Sequence, residues 1–424
     1  MLKKLLFCTV GGSHQPIVSA IEELRPDFVS FICTGKDPGT GKPGSDVQIL
    51  AKGNIIKANF TDEKPTMPSI PAQAGLAEGA FEVLLTLVDD LDDVYRVCRS
   101  ALSALKERHP EARLIADYTG GTKTMSAGLV AAALEIERVE LQIVTGNRVD
   151  LVKVRDGMQS VAESNADRLR LHRAMSPYLR GWRHYAYAEA AEGIRRLPKP
   201  KGPLLAEYSR ARDLSEAFAA WDRFDHAAAK RLLQGYASTL PGDWRRHLAV
   251  LAYLESSRPV QRTAAQLFDP CRNAERRAAQ GRYDDAVARA YRAIEWTAQW
   301  LLKARCGVDT GDLPADFAPP GTELAPNRDG QRQAGLFLAW QLVQAKTDGP
   351  AAAFFGDEGK RLLDHIKTRN HSILAHGFAP IAQAEWQKLQ DWLAQAFLPM
   401  LLEEAKSQGI NALPPQLPQA YDAA

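Results

Sequence analysis

Residues 112–136 (ARLIADYTGGTKTMSAGLVAAALEI) constrain the fold more than any other stretch: a short apolar run passes through a glycine turn directly into a small-residue helical segment. The same order occurs earlier. Leu5 to Val10 is strand-like and ends in glycine, Ile17 to Leu24 has helical spacing, and Phe28 to Thr34 (FVSFICT) is again strand-like. Gly35 to Gly44 (GKDPGTGKPG) is a loop by composition. The periodicity then predicts a long amphipathic helix over about 80–108, a buried strand over 112–118, a helix over 122–136 and a strand over 140–144. Strands that alternate with helices argue for a mostly parallel sheet covered on both faces. Asp150 to Val154 (DLVKV), beyond an Asn147-Arg148 turn, is positioned to close an edge hairpin.

From about Asp167 onward strand signals almost vanish. Ala, Leu, Arg, Glu, Gln and Trp at helical spacing dominate, interrupted by Pro198 to Pro203 and Pro241-Gly242, so the C-terminal half reads as all-α. A loop-like stretch, Gly307 to Gly330, separates two helical blocks. Trp182, Trp221, Trp244 and Tyr187 are expected in packing, and Arg272 to Arg282 (RNAERRAAQGR) on a solvated helix face.

With 424 residues, two or three domains of roughly 150 residues fit. Apolar residues at 45% and charged residues at 25% exclude global disorder, collagen and a disulfide scaffold. A net charge of +2 neither requires nor forbids a nucleic-acid partner, because a local patch can do what net charge does not. Cys8, Cys33, Cys98, Cys271 and Cys306 are far apart and form no C-x-x-C pair, which fits a reducing cytoplasm. The apolar stretch within Met1 to Val10 is too short for a signal segment and reads as a first strand. No apolar run of membrane-spanning length occurs, so no transmembrane helix is expected.

Two glycine turns carry the N-terminal chemistry. In Thr119-Gly120-Gly121-Thr122-Lys123-Thr124-Met125, glycines let backbone amides approach a phosphate, and the following helix N-terminus adds positive potential. The threonines offer hydroxyls and Lys123 a charge. A Walker A loop would need glycine immediately before the lysine, where Thr122 stands. The second turn follows the first strand: Gly11-Gly12-Ser13-His14-Gln15, with Pro16 after it. Gly11-Gly12 alone is also what a tight strand-to-helix connection uses. Both turns open at the carboxyl ends of strands, where parallel sheets bind ligands, and together they fit a ligand with more than one phosphate. Thr145-Gly146-Asn147 is either a plain turn or a third contact.

In the helical half, Arg369, Asn370 and His376 stand out within Asp364 to Gly377 (DHIKTRNHSILAHG). Seven residues are two helical turns, so Arg369 and His376 would share a face about 10 Å apart, with Gly377 as the C-terminal stop. Arginine to hold a phosphate and histidine to move protons near neutral pH suit RNA cleavage without a metal, in which the 2′-hydroxyl attacks its own phosphate. His365 and His371 are further candidates on spacing.

At T-G-G-T-K-T-M the chain resembles the ligand-binding loop of CRISPR-associated Rossmann-fold (CARF) domains, and Arg369 to Gly377 (RNHSILAHG) resembles the catalytic signature of HEPN ribonucleases. Gly281 to Leu302 resembles the first long HEPN helix, in which Glu295 would face the catalytic helix. The order is that of type III CRISPR accessory ribonucleases. The resemblance implies a Rossmann-like α/β CARF domain (1–165), a helical connector (166–265) and a HEPN domain (266–424). It further implies a homodimer that binds cyclic oligoadenylate as an allosteric activator, needs no other cofactor and no metal, and cleaves single-stranded RNA in the cytoplasm. Two alternatives stay open: a ligand sensor whose helical half binds a partner or DNA without catalysis, and a ring nuclease in which the N-terminal site degrades the cyclic oligoadenylate.

Overall fold

The first two strands, β1 (Lys4–Thr9) and β2 (Phe28–Thr34), are buried along nearly their whole length, as strands covered on both faces must be. In the computed structural model, which describes residues 3–51, 67–146, 159–318, 324–375 and 377–421, they lie inside a six-stranded sheet. Its other strands are β3 (Phe81–Thr86), β4 (Arg113–Asp117), β5 (Val139–Gly146) and β6 (Gln159–Ser164), in the order β3-β2-β1-β4-β5-β6. All neighbours are parallel except β5 and β6. Five helices accompany them: α1 (Gln15–Leu24), α2 (Val47–Leu50), α3 (Ile70–Gln73), α4 (Leu91–Arg108) and α5 (Lys123–Glu135). Alternation along β1 sends Leu5 and Phe7 into one core with α4 and α5, and Leu6 and Cys8 into the other with α1 and Ile70.

The expectation of one helix over about 80–108 is corrected. Residues 81–86 pair with β2 as an edge strand, and α4 begins only at Leu91, where the Asp90 side chain caps it by accepting from the Asp93 amide at 2.9 Å. The partner of β5 is Gln159–Ser164; Asp150 to Val154 and Asn147 lie outside the described residues.

The chain divides into two units, Met1–Arg170 and Leu171–Ala424. After α6 (Asp167–Leu179) come α7 (Tyr187–Arg196), α8 (Leu204–Asp222), α9 (His226–Gln234), α10 (Gly242–Leu254) and α11 (Pro259–Ala279). Then follow α12 (Tyr283–Cys306), α13 (Leu336–Lys346), α14 (Pro350–Asn370), α15 (Gln383–Trp392) and α16 (Leu398–Ala405). Among the described residues no helix is long and apolar enough to cross a membrane. The Trp182 and Trp244 rings stack at 5.5 Å, with Tyr187 and Phe218 around them, and Trp221 is buried nearby, so these aromatics are core. Burial pushes the Cys33, Cys98 and Cys271 thiols up to about 12, which leaves them as packing groups.

The solvated face expected for Arg272 to Arg282 is also corrected. Arg276 is only 1% exposed, and its Nε donates to Asp222 at 2.7 Å, while Arg277 pairs with the same carboxylate and Asn273 donates to the Asp222 carbonyl at 2.8 Å. This knot ties α8 to α11. Removing one side of a buried pair strands the other, so Arg276→Met is expected to cost ~3–5 kcal/mol of stability. Denaturant unfolding followed by circular dichroism checks it; an unchanged midpoint would show that Arg277 satisfies Asp222 alone.

Candidate functional site

In the N-terminal unit the chain leaves β1 for β2 and β3 on one side and returns to β4 on the other. At such a reversal parallel sheets bind ligands, beyond the carboxyl ends of β1 and β4. Both glycine turns stand there, and they touch. A Cβ on Gly11 would fall 2.8 Å from the Gly121 nitrogen, and one on Gly120 would fall 2.2 Å from the Thr9 carbonyl oxygen. Glycine is therefore required by contact between the turns, and at Gly121 also by a φ of +78°. The Thr9 hydroxyl locks the pair by donating to the Gly120 carbonyl at 2.6 Å.

The Thr119 turn is held from below. Buried Asp117 accepts from the Thr119 amide and from Gln142 Nε2, both at 2.9 Å, and burial raises its carboxyl above the usual range despite those bonds. The Thr119 hydroxyl oxygen accepts from the Val144 amide at 2.7 Å, and the Thr122 hydroxyl oxygen caps α5 by accepting from the Met125 amide at 3.2 Å. The Thr119 hydroxyl is also bonded to the Asp117 carboxyl and so braces the turn, whereas the Thr122 hydroxyl, seen only as an acceptor among the described residues, keeps its O–H to donate. The amides of Gly120, Gly121, Thr122, Lys123 and Thr124 have no acceptor among the described residues. A row of free N–H donors at a helix N-terminus with no acidic residue in its first turn attracts an anion.

Lys123 is exposed beside this row, and Thr124 is half-buried. Met125 is 1% exposed and packs in the core, so only its backbone reaches the turn. On the other turn Gly12 and Ser13 are exposed, His14 immediately precedes α1 and Gln15 begins it. Sequence reasoning missed Gln48, which comes from α2 and donates through Nε2 to the Gly11 carbonyl. Its Oε1 is buried with no partner among the described residues.

In the helical unit Arg369 lies in the last turn of α14. Its guanidinium sits 4.9 Å from the centre of the Tyr291 ring on α12, and its Nη1 donates to Asn370 Oδ1 at 3.1 Å. Tyr291 also went unread in the sequence, because nothing local marks it as the partner of a residue so far downstream. Burial raises the Tyr291 hydroxyl above its ordinary range, with Arg369 opposing and Glu295 reinforcing the shift. Glu295, one turn along α12, pairs with Arg292 at 2.6 Å.

The single helical face expected for Arg369 and His376 is corrected. Helix α14 ends at Asn370, and the chain folds back: the Ser372 amide donates to the Arg369 carbonyl, Ile373 to Ala379, and Gly377 to Ser372. Gly377 is accordingly no helix stop. A Cβ there would lie 1.8 Å from the His371 carbonyl oxygen, so glycine permits the return of the chain. His376 itself lies outside the described residues. His371 is exposed at the end of α14, whereas His365 packs on Trp392 with ring centres 5.1 Å apart, and burial lowers its pKa. Phe378, 94% exposed, stands with exposed Ile373 and Leu374 on the returning segment.

Residues 256–398 match the family model described as the Csm6 HEPN domain, a segment that contains Tyr291, Arg369, Asn370 and His376. No curated protein matches the chain. Among solved structures, Enterococcus italicus Csm6 bound to cyclic hexa-2′-fluoro-hexa-dAMP has the same fold. The TM-score is 0.52 at 12% identity, over 96% of this chain and 95% of that one.

Proposed function

We propose that this chain, whose residues 256–398 match the Csm6 HEPN family model and whose fold is that of Enterococcus italicus Csm6, is a CARF–HEPN ribonuclease that cleaves single-stranded RNA without a metal when cyclic oligoadenylate occupies its N-terminal unit. The observation that carries this reading is the place of Arg369, Asn370 and His376 inside the segment matching a HEPN family model. Arg369, oriented by Tyr291 and Asn370, holds the scissile phosphate and offsets charge as the 2′-hydroxyl attacks. His376 moves the proton.

One chain supplies one arginine and one histidine, while attack and departure need groups on both sides of the phosphorus. A two-fold pair of chains presents each twice and repeats the amide row of the Thr119 turn, which suits a ligand built from repeated adenylates. An active monomer in light scattering, with activator bound, would contradict this pairing. The setting follows from the family: antiviral defence of type III CRISPR systems.

Full-length protein, a fluorogenic single-stranded RNA, cyclic oligoadenylate and EDTA together test the function. Cleavage is expected. Ligand binding with no cleavage would favour the sensor whose helical half binds a partner or DNA. Loss of the cyclic oligoadenylate itself, with RNA intact, would favour a ring nuclease.

A further inference from the structure

A cleft of about 970 Å³ opens in the helical unit along the same side of α12 that carries Tyr291 and Glu295. Glu295, Trp296, Gln299, Trp300, Lys303 and Asp309 line it. Its distance from the Arg369 site is short. Tyr291, on which Arg369 stacks, and Glu295, on the cleft wall, are four residues apart on one helix, about 6 Å along its axis. A strand held at Arg369 therefore reaches the cleft with its next one or two nucleotides.

One feature of the lining is unexplained by packing alone. Trp296 is 36% exposed, and the Arg292 guanidinium covers its ring at 4.6 Å, a large indole kept at the surface under a cation. Trp300 on the same wall is nine-tenths buried and its indole N–H is closed to solvent, so it backs the cleft as a packed ring. Gln299, Lys303 and Asp309 also line the cleft and bring both donors and acceptors to it. A flat stacking surface beside mixed hydrogen-bonding groups and a backbone-reaching arginine is the chemistry that recognises a base in single-stranded nucleic acid.

We propose that this cleft holds a nucleobase of the RNA substrate adjacent to the cut, stacked on Trp296 with its edge toward Gln299 and Lys303, so that it sets which sequences are cleaved. The proposal rests on the reading of Arg369 as the phosphate-holding residue. Arg292 then serves both as the far layer of the stack and as a contact for the flanking phosphate.

The test maps cut sites on a mixed-sequence single-stranded RNA with full-length wild type, Trp296→Ala and Trp300→Phe, and measures kcat and KM on the preferred site. Trp296→Ala is expected to raise KM ~5- to 100-fold, the range of one lost base stack, with a smaller change in kcat and a flattened base preference beside the cut. Trp300→Phe keeps the buried ring and removes an N–H closed to the cleft, so it serves as the control and should leave preference and KM at the wild-type values; a change equal to that of Trp296→Ala would mean a general disturbance of α12 and overturn the proposal. In parallel, the same RNA is titrated into full-length Arg369→Ala protein while tryptophan fluorescence is read. Quenching that disappears in Arg369→Ala/Trp296→Ala upholds the cleft even if the wild type cuts no RNA and the cleavage reading itself fails. Unchanged preference and KM in Trp296→Ala, or a titration indifferent to Trp296, would overturn the proposal. So would a Trp296→Ala protein that alters only dimerisation, which would make the cleft a contact between chains.

Discussion

Arg369→Ala and His376→Ala proteins are each expected to lose RNA cleavage by ~10²–10⁴-fold while still dimerising and binding activator. The loss at Arg369 is electrostatic. Attack of the 2′-hydroxyl would gather charge on the phosphate oxygens, and a guanidinium already placed over Tyr291 at 4.9 Å would meet that charge without reorganising. Lysine should not restore the rate fully, because a point charge cannot reproduce a planar fork that stacks on an aromatic ring and bonds Asn370. The loss at His376 is one of proton transfer, and His371→Ala discriminates between the two histidines. Single-turnover rates of the variants decide it: an active His376→Ala beside an inactive His371→Ala would reassign the role to the exposed residue at the end of α14.

Lys123→Ala is expected to raise the activator concentration for half-maximal cleavage by ~10- to 100-fold, the worth of one charge-assisted contact to phosphate, with no change in the ligand-free rate. A ligand shifts an equilibrium only by its differential affinity for the two states, so a weakened contact moves the midpoint of the switch and leaves its resting position alone. The amides of residues 120–124, which have no acceptor among the described residues, remain in the variant, so the expected effect is a displacement and not a loss of response. Full activator titrations of wild type and variant that superimpose would remove Lys123 from the site.

Much of this architecture is legible in the sequence, and the gaps have physical causes. Phe28–Thr34 reads directly as a strand because a run buried on both faces is mostly apolar and β-branched or aromatic. Phe81–Thr86 does not, since a short apolar run beside a helix fits helical spacing as well as a strand; the hydrogen bonds to β2 settle it. The glycine turns are visible as turns, yet the reason for their glycines, contact between segments more than a hundred residues apart, exists only in three dimensions. Arg276 reads as a surface charge until Asp222 arrives from α8. Arg369 and His376 stand at a helical spacing, but Asn370-His371-Ser372 are poor helix residues whose polar groups compete for the backbone, and the chain turns back there. Residue types mark the candidate sites; the tertiary contacts of Tyr291 with Arg369 and of Gln48 with Gly11 appear only in three dimensions.

The coupling of a ligand in one unit to chemistry in the other is the centre of this account, and one assay addresses it. Cleavage of a fluorogenic single-stranded RNA by full-length protein in EDTA is followed without ligand and with cyclic tri-, tetra- or hexa-adenylate. The expected result is a low rate without ligand and a large, saturable increase with at least one ring size, abolished by Arg369→Ala. A rate that is the same with and without every ring, or that appears only when a divalent metal is restored, would contradict it.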